Sequence, residues 1–316
     1  MKFPVIKAFS ATLAYLARHA VDLLKALWLP TLLLIVLQFY ALAPMLGALS
    51  SIVALGDNPD PAEAVALLGD FAKWGGVLMV GSAIVMPMMT VASLTHLIRG
   101  EESRLPFYFR YGGDELRVLA AYVLLTLMVF VIGLVGGLAS SVIVLLFRLV
   151  GPQASDAAAD IADLLVNVVT FWFQLRLCAL YPASIATRRI GFDVAWRTTG
   201  GQVARLLGFW LLTGLVIGPF AIVIAALIGG DLFPLLAKIV EAGDDQAAAR
   251  AALIPVLDEL KRIYSPDNPS IALFAPALFV TTLASTAIAN VAAGTAWRYL
   301  TTAAPASADD RQAGDA

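Results

Sequence analysis

Apolar residues fall in long unbroken stretches, not in the alternation of a strand or the one-sided spacing of a surface helix. Six stretches stand out: Trp28–Leu49, Val77–Ile98, Val118–Phe147, Ile161–Ala183, Leu206–Ile228 and Ile271–Trp297. Each supplies the roughly 20 mostly apolar residues that a helix needs to cross a bilayer. Pro30, Pro87, Pro182, Pro219 and Pro276 fall in or beside them. Membrane helices tolerate proline where neighbouring helices satisfy the freed carbonyls. The third stretch is long, which predicts tilt or a kink. The pattern predicts an all-α polytopic membrane bundle of six transmembrane helices, forming one integral membrane domain over residues 1–300. The polar, Ala-rich tail 301–316 is expected to be a disordered cytoplasmic extension.

Composition agrees. The chain is 60% apolar and 14% charged, with mean hydropathy +0.85, against about 45–50% and about 25% in soluble domains. A soluble globular enzyme is excluded. Met1–Lys7 begins with positive charge, but Arg18, His19, Asp22 and Lys25 interrupt any short apolar core. No cleaved signal peptide is expected.

The distribution of Lys and Arg sets the threading. Two thirds of them lie before the first span, after the second, after the fourth or after the sixth, including Lys7, Arg99, Arg104, Arg117, Arg188, Arg189, Arg205 and Arg298. Acids dominate the other side, among them Asp57, Asp60, Asp160, Asp163 and Asp245. Both termini are therefore expected in the cytoplasm. Net charge −2 gives no basic field for nucleic acid.

The loop Gly229–Ser270 is the longest on the outer side. Asp231–Glu241 and Gln246–Tyr264 both read as amphipathic helices within it. In the second, Leu253, Val256, Leu257, Leu260 and Ile263 recur at helical spacing. That face is expected to lie on the membrane or the bundle, and the loop could serve a protein partner. An internal repeat is also visible. Gly112–Tyr122 (GGDELRVLAAY) aligns with Gly200–Trp210 (GGQVARLLGFW), 88 residues apart, matching Gly112/Gly200, Gly113/Gly201, Arg117/Arg205 and Leu119/Leu207. Short amphipathic segments precede the copies at Leu105–Tyr111 and Phe192–Thr199, and Ile6–Leu27 has the same place before the first span. The chain thus reads as three pseudo-repeats, each an inner-surface amphipathic helix followed by two spans. Arg117, Arg205, Arg188 and Arg189 are expected at the inner interface, where they anchor the bundle or hold anionic headgroups.

The stretch Arg176–Leu211 resembles a bacterial six-span membrane-domain superfamily. It comprises stand-alone proteins and the membrane domain fused to some glycerophosphodiester phosphodiesterases. The matching features are an Arg within a span (Arg176), a following Pro182, the basic Arg188-Arg189, and the run Ala195-Trp196-Arg197-Thr198-Thr199-Gly200. The resemblance implies an inner-membrane helical bundle and no reaction. The phosphodiesterase barrel would need about 250 residues, and no segment here supplies it.

Arg176 is the most informative single residue. It falls about 12 Å inside the fourth span at about 1.5 Å per residue. A charge at such depth costs about 2.5–3.5 kcal/mol on insertion scales and marks a site until shown otherwise. No Asp or Glu shares its depth, so its partner is carbonyls (those freed near Pro182 among them), amides, water or an anionic ligand, with snorkelling toward the inner surface as a further structural reading. Asn167 and Gln174 share another face of the same span, which predicts burial of that span on both sides. Asn290 ends the stripe Thr282–Thr286–Asn290 and is expected near the depth of Arg176. Arg176, Asn290, Gln174 and Asn167 are the candidate ligand-binding set, with interhelical hydrogen bonding as the structural alternative. Gly133/Gly137 and Gly214/Gly218 are expected at close helix contacts. No catalytic set appears: no HExxH, phosphate loop or Ser-His-Asp arrangement. Cys178 is the only cysteine, and His19 and His96 are the only histidines. No metal site or cofactor is expected. These readings point to a non-enzymatic inner-membrane protein handling lipids or another amphiphile. The alternative is a scaffold or subunit of an envelope complex.

Overall fold

The computed structural model describes residues 2–55, 60–100, 108–149, 151–243 and 245–303, and the secondary structure among them is helical. In chain order the helices are α1 (Val5–Ala54), α2 (Pro61–Arg99), α3 (Gly113–Arg148), α4 (Pro152–Arg176), α5 (Leu180–Thr187), α6 (Phe192–Thr198), α7 (Val203–Ala242), α8 (Gln246–Ile263) and α9 (Ile271–Ala303). Six helical segments are long and apolar enough to cross a membrane. They correspond to the six stretches read from the sequence, as expected of a multi-pass membrane protein.

Local chemistry sets the ends. Asp60 caps α2 by accepting from Ala62 N–H at 3.0 Å, with Pro61 in the first turn, where its missing N–H costs nothing. Gly100 ends the helix at φ +68°, a conformation that glycine adopts without strain. Asp245 caps α8, accepting from the N–H groups of Ala247 (2.9 Å) and Ala248 (3.0 Å). Asp245→Ala should cost about 1 kcal/mol of helix stability, read as faster limited proteolysis near 246–250 with the rest of the digest unchanged.

Several boundaries differ from the sequence reading. The expected surface helix Ile6–Leu27 and the first span form one helix, α1, kinked at His19 (φ −113°, ψ 19°). The fourth stretch is broken: α4 stops at Arg176, residues 177–179 form a turn, and α5 resumes at Leu180. Asp231–Glu241 is the continuation of α7, because nothing after Ile228 stops the helix until Gly243. The expected helix Leu105–Tyr111 is absent over 108–111, and 101–107 lie outside the described residues. Helix α9 runs through Ala303, beyond the expected start of the tail, and 304–316 are also outside the described residues.

Buried clusters join α1, α2 and α9 at mid-bundle through Leu27, Leu34, Met89 and Ala287, and two others lie toward its ends. At one end Phe3, Ala121, Leu180, Leu206, Phe209 and Trp297 share a buried cluster that joins both ends of the chain to α3, α5 and α7. At the other, Leu232, Val256, Ile263 and Phe274 form a second cluster that includes Phe39 and Tyr264. The apolar face of α8 is therefore covered by α7, α1 and α9, and Leu257 is buried. Ser50 ties α1 to the same helix by donating to Asp258 at 2.9 Å. Whereas α2 is buried almost continuously from Val85 to Leu94, α3 is largely exposed. In α3 only Glu115, Val118 and Ala121 are buried, while Leu127, Phe130, Leu134 and Leu138 face outward. Such a surface suits hydrocarbon, not water.

The two glycine pairs are not where close contact occurs. A Cβ at Gly133, Gly137, Gly214 or Gly218 would meet nothing within 4 Å. Gly136 makes the α3–α4 approach instead: a Cβ there would lie 2.5 Å from Val166. Spacing alone marks small residues but not the direction they face.

Candidate functional site

The break after α4 creates the site. Pro182 sits in the first turn of α5, where a proline lacks only an N–H that would go unbonded. The turn at 177–179 leaves the Arg176 carbonyl without a helical donor. The Thr199 hydroxyl stands 2.7 Å from it and shares its single hydrogen between this carbonyl and that of Ala195 in its own helix, at 2.8 Å. Thr199 is buried and sits at the end of α6, so this bond clasps α6 to the break. The carbonyl freed by the break is thus met by Thr199 and not by the Arg176 side chain.

That leaves the guanidinium available. It lies over Trp196 at 4.3 Å from the ring centroid and 5.9 Å from that of Trp172. Trp196 is fixed in turn by Trp172 (5.5 Å), Phe173 (5.4 Å) and a stacked Phe192 (6.3 Å). Gly200 admits the group at its edge, since a Cβ there would stand 3.3 Å from Nη1. Arg176 Nε is buried with no hydrogen-bond partner. Among the described residues no carboxylate pairs with this guanidinium and no carbonyl accepts from it. A cation held by aromatic rings, with N–H groups unspent, is chemically suited to an oxyanion.

The other candidates do not join it. Asn290 Nδ2 donates to Ser93 Oγ at 3.3 Å, linking α9 to α2. Asn167 and Gln174 are exposed on α4, and neither makes a side-chain hydrogen bond among the described residues. The expected burial of α4 on both polar faces is therefore not seen: α4 packs on α3 and only lightly on α7. The basic residues divide. Arg188 is exposed and ends α5 at φ +54°. Arg189 and Arg197 share the exposed Asp193, at 3.3 and 2.8 Å. Arg205 donates to the Phe3 carbonyl at 3.3 Å.

Arg117 belongs to a network that the sequence reading did not anticipate. Asp114 accepts from Arg117 at 2.6 Å and from both terminal nitrogens of Arg99 at 2.6 and 3.1 Å. Arg99 also donates to the Ile185 carbonyl, which binds α2, α3 and α5 together. Next to it, Glu115 is 2% exposed and accepts from Gly112 N–H at 2.7 Å and from the Tyr108 hydroxyl. Burial, and then the bond to Glu115, raises the Tyr108 phenol well above its ordinary value. The Gly112-x-x-Glu115 spacing was the visible signal, since a glutamate three residues past a helix cap reaches back to it. His19, His96 and Tyr15 also meet, with ring centroids of 4.5–5.8 Å. Residues 77 positions apart carry no periodicity that would announce such a contact. Comparison with family models, with curated proteins and with solved structures finds no match for this chain.

Proposed function

We propose that this is a non-enzymatic protein of the bacterial inner membrane that handles lipids or another amphiphile, with Arg176 receiving the anionic headgroup. The observation that carries the reading is the Arg176 guanidinium: inside a membrane-spanning segment, backed by Trp196, its Nε buried and unpartnered. A structural arginine at such a position normally spends its donors on carbonyls or an acid. Here Thr199 has taken the nearby carbonyl. Trp172 is partly exposed beside it, so a headgroup at Arg176 can leave its acyl chains against the outer surface of α4. Arg188, Arg189 and Arg205 enrich the same end of the molecule in positive charge, which favours anionic lipid at that leaflet. The likeness of Arg176–Leu211 to the six-span membrane-domain superfamily, and the three-unit reading of the chain, fit this role without fixing a substrate.

The test is native mass spectrometry of the gently solubilised full chain. Retained phospholipid supports the reading. A stoichiometric protein partner with no lipid would favour instead a scaffold or envelope-complex subunit using 229–270. The threading has its own test. On a Cys178→Ala background, a cysteine at Gln246 should label from outside in intact cells and one at Ala186 only after permeabilisation. Labelling of position 246 from inside would reverse the topology and remove the inner-leaflet assignment.

A further inference from the structure

The two histidines of the chain come from α1 and α2 and lie in ring contact, centroids 4.7 Å apart. Tyr15 packs on both rings, at 4.5 Å from His19 and 5.8 Å from His96, and its hydroxyl is hydrogen-bonded to His96 Nδ1. The kink of α1 falls on His19 itself. Sharp kinks usually trace to proline, glycine or an inserted group, yet residues 15–22 (YLARHAVD) contain neither proline nor glycine. The ring cluster sits at the bend. Among the described residues no three His, Cys, Asp or Glu side chains converge as metal ligands, so the ligand that this cluster suits is a proton.

We propose that His19, His96 and Tyr15 form a proton-binding latch on the N-terminal arm of α1, and that loading it with protons releases the arm. Imidazole is the side chain whose charge ordinarily changes between about pH 5 and 8. One proton is tolerable, because Asp22 Oδ2 stands 3.6 Å from His19 Nδ1 as a counter-charge. A second places two like charges on rings in contact, where they repel strongly. The surrounding cations do not relieve this. Arg298 of α9 acts on Tyr15 from the other side. Arg18 of α1 is adjacent and exposed, and Arg99 of α2 is already committed to Asp114. Separation of the rings relieves the repulsion, and the kink at His19 is where the backbone of α1 is already free of helical geometry.

The arm has something to release. Phe3 is buried edge-on against Phe209 at 5.7 Å. Its N–H donates to Gln202 Oε1 at 3.1 Å, and its carbonyl accepts from Arg205. Gln202 lies three residues past Thr199, the residue that clasps the Arg176 carbonyl. Arm release would therefore loosen the turn beside Arg176, a consequence that rests on the lipid reading given above.

The experiment uses the full chain with Cys178→Ala, spin-labelled at Lys7→Cys and Ala186→Cys, in phosphatidylcholine nanodiscs. Distances are measured by double electron–electron resonance at about pH 7.5 and about pH 5.5, a window that spans imidazole titration. One short distance is expected at the higher pH, with a longer one becoming the major population at the lower. His19→Gln with His96→Gln should keep the short distance at both. If that double variant misfolds, either single substitution removes one of the repelling charges and should hold the arm closed. A wild-type distribution that ignores pH overturns the latch, as does a pH response unchanged in the histidine variants. No anionic lipid is present, so the latch can fail while lipid binding at Arg176 stands, and the reverse.

Discussion

Arg176→Leu is expected to leave the protein folded and strip it of co-purifying anionic lipid. Two terms decide the stability side. The substitution forfeits a cation–π contact with Trp196 worth about 0.5–2 kcal/mol. It also removes a charge whose placement in a span costs about 2.5–3.5 kcal/mol. No hydrogen bond is lost from the α4–α5 break, because Thr199 serves that carbonyl. The melting temperature in detergent should hold or rise. On the binding side, charge-assisted hydrogen bonds to an oxyanion contribute about 1.5–3 kcal/mol each, so retention of anionic phospholipid should fall by about ten- to a hundredfold. Arg176→Lys keeps the charge but not the planar fork and should fall between. A Leu variant as stable and as lipid-laden as wild type reduces Arg176 to an interfacial anchor. An unstable Leu variant makes it a structural residue.

Which features were legible in the sequence follows from the range of the forces involved. The six spans could be read because hydropathy is summed over many adjacent residues and needs no partner. The amphipathic face of α8 could be read for the same reason, and its apolar residues do meet the bundle. Arg176 was conspicuous because one cation breaks an apolar run. Its surroundings were not, since Thr199 and Trp196 reach it only once α6 folds back across the break. The glycine pairs show the limit of spacing. Gly133 and Gly137 satisfy the pattern for a close helix crossing, yet Gly136, outside the pattern, is the one against Val166. Asn167 and Gln174 likewise mark a polar face of α4 without saying what, if anything, covers it. Contacts between distant residues, such as Arg99 with Asp114 and His19 with His96, depend on helix rotation and depth. A single sequence encodes both only through the packing of the whole bundle.

The largest loss of stability is expected from a single methyl group at Gly191. This residue begins α6 with φ −82°, so its conformation is open to any side chain and the requirement is space. A Cβ there would stand 2.6 Å from Ala183 Cβ, 2.7 Å from the Ala183 carbonyl carbon and 2.8 Å from Ser184 N. Two of these three atoms are backbone within α5, and Ala183 and Ser184 are fully buried, so no side-chain rotation makes room. The helices must separate. Separation also strains the bond from Gly191 N–H to Ser184 Oγ (3.0 Å), whose hydroxyl is donated to the Leu180 carbonyl at 2.7 Å. Overpacking of a tight interior costs about 1–3 kcal/mol and sometimes more, and a backbone clash belongs at the upper end, about 3 kcal/mol. Because α6 carries Trp196 and Thr199, the displacement also disturbs both groups that frame Arg176. Gly191→Ala should melt well below wild type and lose anionic lipid together with stability, whereas Arg176→Leu loses lipid alone. Gly218→Ala is the control: its methyl meets nothing within 4 Å, and alanine is favoured over glycine in a helix by about 1 kcal/mol. If Gly191→Ala melts with Gly218→Ala, the α5–α6 contact is looser than described, and so is the clasp that leaves Arg176 free.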